Sequence, residues 1–175
     1  MAKQKRTIAD IIATAKPRTA TVTLYLAGDV ASRIEVLEAQ LSDHAGWVAD
    51  SMAAVDPRRA IVVEIRALQG QIRDSAAEFT LQAVSDAEWS ALLLKHPGRQ
   101  AEEGFNPETL LPALIPACCV EPAMSADDYE ALSQVINKGQ RDLLEAAAWR
   151  VNNEATTVPF SLAVSAIDAS RTAAK

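Results

Sequence analysis

From Arg18 to Asp29 apolar and polar residues alternate. Val22, Leu24 and Leu26 fall on one side, and Thr21, Thr23 and Tyr25 on the other. This period of two, in β-branched and aromatic residues, predicts a half-buried strand closed at Gly28-Asp29. The period then changes. Val30, Ile34, Leu37 and Leu41 recur at intervals of 4, 3 and 4, a narrow helical seam, with Asp29 placed to cap its start. Asp56-Pro57 opens a second helix by pairing a capping acid with a proline in the first turn. Its apolar positions, Ile61, Ile65, Leu68 and Ile72, repeat the 4, 3, 4 spacing. Two matching seams joined by a loop near 42–56 predict an antiparallel helical hairpin. Phe79, Leu81 and Ala83 alternate with Thr80, Gln82 and Val84, so 78–84 reads as a second strand able to pair with 19–27. The first half is β-α-α-β.

The second half reads as helix throughout. Ser85-x-x-Glu88 is a capping box leading into Trp89, Leu92 and Leu93. After the polar loop 96–104, Asn106-Pro107 starts a helix through Leu110, Leu111, Leu114 and Ile115, which Pro112 and Pro116 are expected to break or kink. Ser125 caps a helix whose buried face is Tyr129, Leu132, Val135 and Ile136 and which ends at Asn137-Lys138-Gly139. The last helix runs from Gln140 to Asn152 through Leu143, Leu144, Ala147, Ala148 and Val151. The predicted fold class is α+β, predominantly helical: a small antiparallel strand pair with a helical hairpin, followed by a four-helix segment. Four segments follow: a flexible N-terminal arm at 1–16, the β-α-α-β unit at 17–84, a helical unit packed on it at 85–154, and a C-terminal tail at 155–175. The arm carries Ile8, Ile11 and Ile12 at a spacing that permits one short amphipathic helical turn, which could dock on a neighbour.

Composition narrows the function classes. Half of the 175 residues are apolar and 23% are charged, the balance of a globular chain. No apolar run nears the roughly 18 residues of a membrane span, and no signal peptide is recognised at the N-terminus. A net charge of −6 and 5% aromatic residues disfavour nucleic acid. Cys118 and Cys119 are adjacent, lack metal-site spacing, and read as a reduced pair at the apolar end of the 107–119 helix.

Chemistry is scarce. The six glycines are scattered, so no phosphate-binding loop is present. His44 and His96 lie far apart in sequence. The acids Asp127, Asp128 and Glu130 fit helix-start electrostatics. No catalytic, cofactor or metal residues are assigned. Trp89 and Trp149 sit among leucines and alanines as core residues, whereas Trp47, in the loop beside Gly46, suits an anchor. Trp47, Ile61, Ile65 and Leu68 are the candidate partner-binding residues, by way of a partner helix laid on the hairpin. The two seams packing on each other is the plainer expectation.

The order of elements carries a resemblance. The strand ending Leu26-Ala27-Gly28-Asp29 and the helix RIEVLEAQL (33–41) precede a second helix, a Phe-Thr-Leu strand and a Trp-x-x-Leu helix. FNPETLLPALIPACC (105–119), the Met-Ser start at 124–128, the GQRDLLEAAAWRVN helix (139–152) and Val-Pro-Phe at 158–160 complete it. This arrangement resembles the tail assembly chaperones of long-tailed phages infecting actinobacteria. The resemblance implies a non-enzymatic, self-associating factor in the host cytoplasm, absent from the mature virion. Such a factor coats the tape-measure protein and recruits major tail tube subunits, in part through a longer frameshifted form. A minor virion protein of the neck or tail-completion kind is the alternative.

Overall fold

A computed structural model describes residues 6–49, 51 and 54–157. The chain folds as an α+β protein in which helix predominates around a three-stranded antiparallel sheet, in the order β1-β2-β3. β1 (Thr19–Tyr25) pairs with β2 (Ala76–Gln82) over seven residues, with Thr19 opposite Gln82 and Tyr25 opposite Ala76. The alternation therefore puts Ala20, Val22, Leu24, Ala77, Phe79 and Leu81 on one face. Thr21, Thr23 and Tyr25 lie on the other. Leu26 does not extend the inward row. Ser75 Oγ accepts the Leu26 and Ala27 N–H groups, both at 3.1 Å, which ends the strand at Tyr25 and leaves Leu26 exposed.

Between the paired strands stand α2 (Gly28–Asp43) and α3 (Pro57–Asp74), preceded in the chain by α1 (Ile8–Thr14). Asp29 is not the cap of α2. The helix starts one residue earlier, at Gly28, so Asp29 sits inside its first turn, where the dipole still favours it. Asp56 does cap α3, accepting the Arg58 N–H at 3.0 Å. Ile34, Leu37 and Ile65 form a small buried cluster, with Leu41, Ile61, Leu68 and Ile72 packed against it. The hairpin thus has a core of its own.

The main core lies on the inner face of the sheet. α5 (Pro107–Cys118) supplies Leu114, Ile115 and Cys118, and α7 (Lys138–Asn153) supplies Leu144, Ala147, Ala148 and Val151. The adjacent small residues Ala147 and Ala148 let α7 approach both β1 and β2. α4 (Asp86–Lys95) contributes Trp89 and Leu92 at the margin, and α6 (Ala126–Ser133) contributes Tyr129. The capping boxes Ser85–Glu88 and Ser125–Asp128 close as their residue types require. In the loop after α4, a side chain at Gly98 would overlap the Glu103 carbonyl, so only glycine fits there.

Five further expectations are corrected. The second half is not all helix: Cys119–Glu121 forms β3 beside β2, a strand too short to show a period. Pro112 and Pro116 do not break α5, which continues through both. Set four residues apart, they share one side, and both line a shallow depression against α6. α6 ends at Ser133, so Val135 is 80% exposed and Ile136 reaches the core from the connecting turn. Asn137 caps α7 rather than closing α6; its side chain accepts the Gln140 N–H while Gln140 accepts that of Asn137, each at 2.9 Å. Leu143 is exposed. The expected Val-Pro-Phe segment at 158–160, and most of the expected tail, lie outside the described residues.

Candidate interaction surfaces

Of the candidate partner-binding residues, Ile61, Ile65 and Leu68 face α2. Leu37, 1% exposed, fills the centre of that seam. Arg33 donates to Glu64 at 2.9 Å across the outside of the hairpin. The seam is therefore occupied from within, and a partner helix reaches these three residues only by displacing α2. Trp47 is half-buried near the tip, with the Arg58 guanidinium 5.6 Å from its ring centroid. Asp56 holds Arg58 in place at 2.8 Å while capping α3. Hydrogen bonding to Arg58 keeps the Asp56 carboxyl below the ordinary aspartate range. One acid thus sets both the helix start and the cation over the ring.

The face of α3 turned away from α2 is open. Arg59, Val62, Val63 and Arg66 recur at i, i+3, i+4 and i+7, so they form one stripe. With Asp56 and Arg58 they line a shallow depression of about 420 Å³. Val63 is 66% exposed. Arg59 and Arg66 make no ion pair among the described residues, although the whole chain is acidic. Sequence reasoning passed over Val62 and Val63. The available signal was the run Ile61-Val62-Val63, more apolar than a one-residue-wide seam needs.

A second open surface lies between α5 and α7. Phe105, Pro107, Leu111, Ala146 and Trp149 line a groove of about 480 Å³, bordered by Lys138, Asp142 and Glu145. Trp149 is a wall of this groove rather than a core residue. Its ring lies 5.5 Å from Phe105 and 5.9 Å from Trp89, centroid to centroid, both pairs tilted. Lys138 pairs with Asp142 at 2.6 Å. Glu145 is pushed above the usual glutamate range, first by partial burial and then by the Asp142 charge.

The remaining candidates for chemistry are dispersed. Cys118 and Cys119 are both buried, and burial pushes both thiols up, away from the reactive thiolate. Cys118 still ends α5, but Cys119 begins β3. His44 follows α2 and His96 follows α4. Among the described residues no three His, Cys, Asp or Glu side chains gather as a metal site, and no helix is long and apolar enough to cross a membrane. The chain matches no protein-family model, no curated protein and no solved structure.

Proposed function

We propose that this chain is a non-enzymatic assembly factor that grips a long amphipathic helix. The proposed client is the tape-measure protein of a long-tailed phage, held in the host cytoplasm until tail tube subunits assemble around it. The observation that supports this reading is the outward stripe of α3. Two valines give an apolar contact of low sequence specificity, and Arg59 and Arg66, two turns apart at its ends, can pair with acids spaced along a client helix. The stripe stands on a hairpin with its own core, so a client can lie along it without disturbing the sheet. Each grip is small and weak, and many copies along one client make it effective. An acidic remainder keeps such a coat dispersed.

The test is co-expression of the full chain with a tape-measure protein of a long-tailed phage. Wild type should keep the client in solution in a complex holding several copies. Val63→Asp, at an exposed position, should fold normally and lose most of that effect. A client that precipitates equally with wild type and with Val63→Asp overturns the reading.

A further inference from the structure

We propose that α1 of one copy docks in the α5–α7 groove of a second copy, linking chains head to tail. α1 is a complete small helix. Thr7 and Asp10 close a capping box at its start, yet none of its residues is buried. Ile8, Ile11 and Ile12 stand exposed on one side, with Ile8 at 71%. A capped helix with a bare apolar stripe has the form of a ligand.

The groove matches it in length and character. Seven helical residues span about 10 Å, and the stretch of α7 from Lys138 to Trp149 runs about 16 Å. The floor is apolar, from Phe105, Leu111 and Trp149, which suits isoleucine side chains. Charge agrees as well. Residues 1–16 hold four basic residues and one acid, whereas the groove border holds Lys138, paired with Asp142, and Glu145, a net charge of −1 with Arg141 nearby.

In this structure α1 is not seated in the groove of its own chain. Ala15 leaves α1 in extended backbone, and Pro17 restricts Lys16 to the same region. Arg18 is then fastened to the end of α7, donating to the Glu154 carbonyl at 2.8 Å and to its carboxylate at 3.0 Å. An extended connector thus joins α1 to a base fixed at Arg18, and the apolar side of α1 is left bare. Contact with a second copy satisfies the stripe, and the unused groove and arm at the two ends accept further copies. Three isoleucines bury less than the roughly 1,200 Å² of a stable interface, so the association is reversible and depends on concentration.

The experiment is a sedimentation series on the purified full chain. The average mass should rise with concentration past that of two chains. Ile8→Asp with Ile12→Asp should weaken association at least about tenfold, as should Ala146→Arg, which blocks the groove from an exposed position. A chain lacking residues 1–14 provides the same arm lesion without a substitution. The decisive sample mixes the arm variant with the groove variant: one intact arm and one intact groove remain, so the mixture should stop at pairs. A wild type that stays single at every concentration, an arm variant that associates normally, or a mixture that forms no pairs overturns the proposal. Val63→Asp should associate as wild type does, so this test is separate from client binding.

Discussion

The side-chain carbonyl of Asn152 accepts the Val84 backbone N–H at 3.0 Å, joining the end of α7 to the chain just beyond β2. The amide of the same side chain donates to the Ala148 carbonyl at 2.8 Å and to Cys118 Sγ at 3.1 Å. One residue thus links α7, α5 and the exit of the central strand. Arg18, bound to Glu154 two residues later, fastens the entry of β1 to the same helix end.

Removing that link leaves the Val84 N–H partly buried without its acceptor. Asn152→Ala is expected to cost about 1–3 kcal/mol, the range for a stranded donor. Denaturant unfolding measures it. A loss below about 0.5 kcal/mol would show that water replaces the side chain and that packing alone holds α7 on the sheet.

How far the fold could be read from residues depended on the range of the interactions. Helix starts at Asp56, Ser85, Asn106 and Ser125 were legible because a cap is settled within three residues. The hairpin seams were legible because Ile34, Leu37, Ile61 and Ile65 keep a regular spacing. Asn137 was misread because asparagine serves at either end of a helix, and only Gln140 three residues later separates the two roles. β3 was hidden because its pairing to β2 is a long-range contact of three residues. The surfaces fared worst. Phe105 and Trp149 meet across 44 positions, and no local period joins them. Ile61, Ile65 and Leu68 pack toward α2, whereas Val62 and Val63, on the same helix, line the opposite depression.

The hairpin should yield before the rest of the molecule. Its buried cluster has three residues, whereas the main core has fourteen. Leu37→Ala removes the centre of that cluster and is expected to cost about 2–5 kcal/mol, enough to exceed what so small a core supplies. Amide exchange in α2 and α3 should then quicken, while β1, β2 and α7 keep their protection. A uniform rise in exchange across all elements would mean that hairpin and sheet unfold as one unit.

Glu145 gives the groove a pH dependence whose sign follows from its surroundings. Partial burial, then the neighbouring Asp142, raises its pKa in the folded chain above the ordinary value of 4.5. Between those two values the folded state holds more proton than the unfolded one, so stability falls as pH rises through the window. Above it the charged carboxylate is a standing penalty; below it the penalty disappears. Glu145→Gln removes the charge at every pH. The variant should therefore be more stable than wild type near neutrality, and the two should converge as the pH falls below about 4. Thermal unfolding of both proteins across pH 3.5–7.5 checks this. If the variant is less stable at pH 7, the Lys138 and Arg141 cations beside Glu145 outweigh its desolvation, and the groove border is held together by charge rather than strained by it.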